Sequence, residues 1–200
     1  MMVITEGALT FTFPAGWEAS KFDEWAFYRR QFSRLSGLRA TCGAKNCGAE
    51  LTCVACGKPA STGTKAIDIL AIEQKSCCWC IEIKDYRLGR RTKTVDLADE
   101  VAIKVRDSLA GLAAAAAAAN ANDESAKNQA ISALACRRFR VVLHLEQPAK
   151  HSKLFRRAIN PANVQLRLRQ LVKGIDPHAI VVETTRMNGV TWTVTQEKGR

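Results

Sequence analysis

Within the stretch TKAIDILAIEQKSCCWCIEIKDYRLGRR, residues 64–91, stand two carboxylates and an ammonium group: Asp68, Glu82 and Lys84. Asp68 interrupts an otherwise apolar run, Ala66 to Ile72, and Glu82 and Lys84 flank Ile83 in a second run, Trp79 to Tyr86. Both runs have the composition of β-strands, with a turn between them. Side chains two apart on a strand share a face, so Glu82 and Lys84 project together and Ile83 points the other way. If the two strands are neighbours, Asp68 reaches the same patch. A carboxylate inside an apolar run needs a cation, a metal or hydrogen bonds. Hard Mg²⁺ or Mn²⁺ takes a few carboxylate oxygens plus water and phosphate. Asp68 and Glu82 can supply them, with the Ile83 carbonyl as a further ligand. Such an ion neutralises phosphate charge and makes hydroxide from water. Lys84 beside it could orient the attacking water or stabilise charge on the phosphorane. The competing reading of a Glu-x-Lys pair is a solvated, salt-bridged face.

The elements that must position these groups follow from the patterning. Val3 to Phe13 alternates loosely and reads as a short strand or extended arm. Ser20 is a candidate cap for a helix from Lys21 to about Gly37, with Asp23 and Glu24 in its first turn and Trp25, Tyr28 and Phe32 at helical spacing. After the two strands, Thr94 or Asp96 starts a long helix to Ala119, with Leu97, Val101, Val105, Leu109 and Leu112 on one face. A second helix covers Ala126 to Cys136, and RVVLHL, Arg140 to Leu145, is a buried strand. Asn160-Pro161 opens a helix to Lys173, closed by Gly174. Ala179 to Thr184 and Val190 to Thr195 read as strands joined through Asn188-Gly189. This order predicts an α/β domain over residues 1–200, a mixed central β-sheet flanked by helices.

The sequence has 30 Lys and Arg against 19 Asp and Glu, a net charge of +11. That balance favours a polyanionic partner, nucleic acid before an acidic membrane surface. No apolar run is long enough to span a bilayer. The start, with Glu6 and no basic segment, is unlike a secretory leader, and the expected compartment is the cytoplasm. Two basic clusters are candidate phosphate contacts: Arg87, Arg90, Arg91 and Lys93, and then Lys150, Lys153, Arg156 and Arg157. Asp85 should point away from the site, toward Arg87 or Arg90.

In a reducing compartment eight cysteines are thiols or metal ligands before they are disulfides. Cys42, Cys47, Cys53 and Cys56 form two knuckle-like pairs in a Gly- and Cys-rich insert, residues 42–64, and could hold a structural Zn²⁺. Cys77, Cys78, Cys80 and Cys136 read as core side chains. His144, in a strand, reads as a satisfied core residue, and neither a phosphate loop nor a dinucleotide fingerprint is present.

Asp68 followed by Glu82-Ile83-Lys84 resembles the signature of the PD-(D/E)XK, or restriction-endonuclease-like, nucleases. Ile67 stands where the name-giving proline would be. The resemblance covers roughly Ser20 to Leu145 by element order and implies an α-β-β-β-α-β core. It further implies Asp68, Glu82 and Lys84 as catalytic residues, and an added acid from the first helix, for which Glu24 is the candidate. The function so implied is metal-dependent cleavage of DNA, ahead of RNA, with a partner protein or as a homodimer, in a restriction or anti-phage defence system. The alternative is a non-catalytic nucleic-acid-binding module or an inactive subunit.

Overall fold

The computed structural model describes residues 1–30, 32, 63–89, 91–117, 123–148 and 159–196. Its centre is a five-stranded mixed sheet of β3 (Trp17–Lys21), β4 (Ile69–Glu73), β5 (Cys77–Asp85), β6 (Arg138–Glu146) and β7 (Ile180–Val182), in that order. β3, β4 and β5 are antiparallel. β6 is parallel to β5 and β7 is parallel to β6. Parallel neighbours need crossovers. α2 (Leu97–Ala116) and α3 (Glu124–Leu134) make the first, and α4 (Pro161–Leu171) the second. β1 (Met2–Glu6), β2 (Leu9–Phe13) and β8 (Thr193–Gln196) form a separate antiparallel sheet.

Strand alternation divides the core in two. Leu70, Ile72, Cys78, Cys80, Val141 and Leu143 face the helices, where Leu97, Val101, Val105 and Leu112 meet them. Ile69, Ala71, Trp79, Ile81 and Val142 face the small sheet, against Phe11, Phe13, Trp192 and Val194. The central sheet therefore has helices on one side and a second sheet on the other. Both of its faces are dry, which suits the nearly continuous apolar runs of β4 and β6. α2 can lie close because Gly111 leaves room for Phe22 and Phe32; a Cβ there would meet their rings at 3.3 and 3.4 Å.

The helix starts follow sequence chemistry. Asp96, Asp123 and Asn160 cap α2, α3 and α4 by accepting from the backbone N–H groups of Ala98, Ala126 and Ala162, and Pro161 opens α4. Several expectations are corrected. Val3 to Phe13 is a hairpin, turned at Gly7, whose φ of +56° suits glycine. Ser20 caps no helix; it lies in β3, where its hydroxyl accepts from Trp25 Nε1 at 2.9 Å and donates to Gln129 at 3.0 Å. The expected first helix is a 3-10 turn, Phe22–Glu24, followed by a short α1, Ala26–Arg30. A strand, β3, thus precedes the first helix, unlike the expected helix-first core. β7 and β8 are not partners of one another: β8 pairs with β2, because Trp192 and Val194 bury against the small-sheet core. The insert with Cys42, Cys47, Cys53 and Cys56, the basic run Lys150 to Arg157, and Arg90 lie outside the described residues.

Candidate functional site

β4 and β5 bring the predicted acids together. Ile69 pairs with Ile81, so one residue further out Asp68 stands opposite Glu82. The Asp68 carboxylate replaces the next rung of the ladder: Oδ2 accepts from the Ile83 N–H at 2.6 Å. The Asp68 carbonyl accepts from the Phe22 N–H at 3.0 Å, which ties the 3-10 turn to the same corner. Glu82 and Lys84 share the helix-side face, and Lys84 Nζ lies 2.7 Å from Glu82 Oε1. Ile83 turns to the other core.

Helix α2 lays two further charged groups over this patch. Lys104 Nζ stands 2.6 Å from Glu82 Oε1 and 3.2 Å from Asp68 Oδ1, bridging the two acids. Glu100, one turn earlier, lies 3.3 Å from Lys84 Nζ. Sequence reasoning named neither residue. The signal was there for Lys104: a charge one position before Val105, on the flank of the stripe of Leu97, Val101 and Val105.

Glu82 is wholly buried. Burial, and then the neighbouring Asp68 carboxylate, push its carboxyl up to about 7, while Lys104 and Lys84 restrain the rise. The two ammonium groups approach Oε1 without hydrogen-bond alignment, and Oε2 has no partner among the described residues. Burial opposes charge on Lys84 and Lys104, but the carboxylates around them outweigh it and hold both above the ordinary lysine range.

Of the two acids in the first helical segment, Asp23 rather than Glu24 feels the charge of Asp68. Glu24 faces outward to Lys21 at 3.1 Å and Arg29 at 3.5 Å. Asp23 is half-buried, and its Oδ1 has no partner among the described residues. Burial, and then the charge of Asp68, raise its carboxyl above the ordinary value. Asp23 Oδ1 and Glu82 Oε2 are thus two buried carboxylate oxygens without donors among the described residues. Among the described residues no three His, Cys, Asp or Glu side chains are gathered closely enough to hold a metal by themselves. Water and phosphate would complete the shell of Mg²⁺ or Mn²⁺, as that ion prefers.

The basic turn after β5 is paired to acids. Arg87 makes a two-pronged contact with Asp85, at 2.8 and 2.5 Å, so Asp85 does point away from the site. Arg91 and Lys93 reach Glu100 at 2.8 and 2.5 Å. Across the sheet, His144 is buried and its Nε2 lies 2.9 Å from Glu146 Oε1, while its Nδ1 has no partner among the described residues. No helix among the described residues is long and apolar enough to cross a membrane.

No protein-family model matches the chain, and no solved structure matches it. The chain is 36% identical over 172 residues to a cysteine–tRNA ligase of Neisseria meningitidis. The match covers 82% of this chain and 24% of that ligase, so the chain spans about a quarter of the relative's length.

Proposed function

We propose that the chain is a metal-dependent nuclease of the restriction-endonuclease-like kind. The observation that carries this is Glu82: wholly buried, one oxygen without a donor, opposite Asp68 and beneath Lys84 and Lys104. A purely structural salt bridge gains by satisfying its buried oxygens; this one leaves an acceptor open beside a second acid. Asp68 and Glu82 would hold Mg²⁺ or Mn²⁺, with Asp23, whose carboxyl feels the charge of Asp68, a further candidate. The ion, when bound, supplies charge neutralisation at the phosphate and a more acidic water. Lys84 holds its proton firmly, so its part is to stabilise charge on the phosphate rather than to remove a proton. Arg87, Arg90, Arg91 and Lys93 hold the strand on either side of the cleaved bond, and the net charge of +11 draws it in. Cys42, Cys47, Cys53 and Cys56 would hold a structural Zn²⁺, and metal analysis returning less than about one zinc per chain removes that part. Service in a restriction or defence system, alone or with a partner protein, rests on analogy of fold.

Incubation with plasmid DNA and Mg²⁺ or Mn²⁺ tests the reading. Cleavage that disappears in Asp68→Ala with DNA binding retained, and in Lys84→Ala with binding weakened but still present, supports it. Binding without cleavage under either ion overturns it in favour of a non-catalytic module. The likeness to part of a cysteine–tRNA ligase favours a second reading in which the nucleic acid is RNA, a tRNA included. Running a tRNA transcript beside the plasmid, for binding and for cleavage, separates the two.

A further inference from the structure

Three cations converge on one carboxylate at the N-terminal turn of α2. Lys84 Nζ is 3.3 Å, and Lys93 Nζ 2.5 Å, from Glu100 Oε1. Arg91 Nη2 is 2.8 Å from Glu100 Oε2, and Arg91 Nη1 donates to the Lys93 carbonyl at 2.5 Å. The Glu100 and Arg91 side chains are 11% and 12% exposed, whereas Lys93 is 61% exposed, so the cluster has a sheltered carboxylate and guanidinium with one ammonium group at the surface. Lys93 and Lys84 draw the Glu100 carboxyl down to about 2 against its burial, so it is charged at every working pH. Lys84 is shared with Glu82 at 2.7 Å, so three positive groups face two carboxylates, and Arg91 and Lys93 have Glu100 as their acid. Arg91 Nε is buried with no partner among the described residues, an N–H of the guanidinium fork left unused. A fork with a free N–H, flanked by two ammonium groups, is suited to the tetrahedral oxygens of phosphate better than to the single carboxylate it holds.

We propose that Lys84, Arg91 and Lys93 form the seat of a nucleic-acid phosphodiester, and that Glu100 holds that seat in the free protein. The inference deepens the nuclease reading by naming how substrate enters. Lys84 touches both Glu82 and Glu100, so a phosphate at the Glu100 position lies directly beside the candidate metal site. Glu100 is then an internal competitor: it keeps the basic turn folded against α2 and weakens binding of any strand that does not displace it.

The test is binding of short fluorescein-labelled DNA and RNA oligonucleotides in EDTA, where cleavage plays no part. Glu100→Gln keeps the shape and removes the competing charge. It should tighten binding about tenfold at low salt and steepen the dependence of log affinity on log salt by about one unit. Adding Arg91→Gln and Lys93→Gln should abolish that gain. If Glu100 is only a clamp for the turn, Glu100→Gln leaves affinity unchanged or weakens it, and the proposal is overturned. Thermal melts of each variant show whether a weak binder is simply unfolded; in that case Glu100→Asp, which shortens the carboxylate's reach but keeps the charge, decides, because a displaceable competitor predicts tighter binding there too. Failure of the nuclease reading would show differently, as absent cleavage with intact Glu100-dependent binding.

Discussion

Glu82 and Glu146 are two buried glutamates on neighbouring strands of the same sheet, and they behave in opposite ways. Glu146, at the end of β6, faces the side of the small sheet. Its Oε1 accepts from the Thr184 N–H at 2.7 Å and the Thr184 hydroxyl at 2.5 Å, and lies 2.9 Å from His144 Nε2. His144 and Thr184 hold its carboxyl down at about 2 although burial pushes the other way. Glu82, on the helix side of β5, has an open oxygen and an acidic neighbour, and burial wins, to about 7. Burial alone therefore does not set the state of a carboxylate; the donors aimed at it do. The satisfied glutamate is held by the fold, and the unsatisfied one is the ligand we propose for a divalent cation.

The widest separation should appear in catalysis. Glu82→Gln should lower metal-dependent cleavage by about a thousandfold, since a neutral amide cannot replace a carboxylate toward a hard divalent ion. Glu146→Gln keeps an acceptor for Thr184 and should leave cleavage within about twofold. Equal losses from both substitutions, measured as initial rates on plasmid, would erase the distinction.

Stability should rank the two sites in reverse. Glu146→Met strands two donors of Thr184 and should lower unfolding free energy by about 3 kcal/mol, read from urea melts. Glu82→Met removes an open buried oxygen. Lys84 keeps Glu100 and Lys104 keeps Asp68 as partners, so its effect should stay within about 1 kcal/mol. A loss as large as that at Glu146 would make Glu82 a structural ion pair and weaken the nuclease reading.

The pH dependence runs in opposite directions as well. Glu146 is lowered from its ordinary value of 4.5, so its contribution is complete above 4.5 and is lost as pH falls toward about 2. Glu82 is raised, so the metal-free protein loses stability as pH climbs from 4.5 to about 7, where the buried group must ionise. Glu82→Gln should flatten that decline in metal-free melts. Mn²⁺ affinity should fall about tenfold per pH unit below 7, because the protonated acid cannot ligate. Titration calorimetry across that range would expose a flat profile, which the proposed ligand role of Glu82 does not permit.

Much of this is legible in the sequence, and the limits have physical causes. The i, i+2 rule placed Glu82 and Lys84 on one face, and the position of Asp68 in an apolar run marked it as needing a partner. Helix caps act within a few residues: Asn160-Pro161 is legible where it stands, and of the two candidates Thr94 and Asp96 the structure uses Asp96. What failed depended on distant contacts. Ser20 has the chemistry of a cap, but β3 is fixed by pairing with β4, some fifty residues on, and pairing overrides local preference. Asn188-Gly189 looks like a hairpin turn, yet β8 leaves for the small sheet because Trp192 and Val194 find their core there. Asp23 and Glu24 are adjacent and chemically alike; only the course of the 3-10 turn decides which faces Asp68. Lys104 was missed because a lysine beside an apolar stripe is ordinarily read as reaching out to water.

The smallest expected effect concerns that lysine, and it sharpens the contrast between the two glutamates. Lys104 lies against Asp68 Oδ1 and Glu82 Oε1, the two acids that would hold a divalent ion under the proposed reading, so in the free protein its ammonium would compete with that ion for their charge. Glu146 has no lysine over it among the described residues: its Oε1 takes the Thr184 N–H and hydroxyl and lies against the buried His144 ring. Lys104→Gln removes the competing charge and should raise Mn²⁺ affinity by about three- to tenfold, seen as a larger Mn²⁺-induced rise in melting temperature than in the parent protein. Without metal the same variant should melt lower, since Asp68 and Glu82 then face one another with a single ammonium group nearby. A variant whose melting temperature falls and that gains nothing from Mn²⁺ would make Lys104 a fixed part of the fold, and Glu82 would then resemble Glu146 after all.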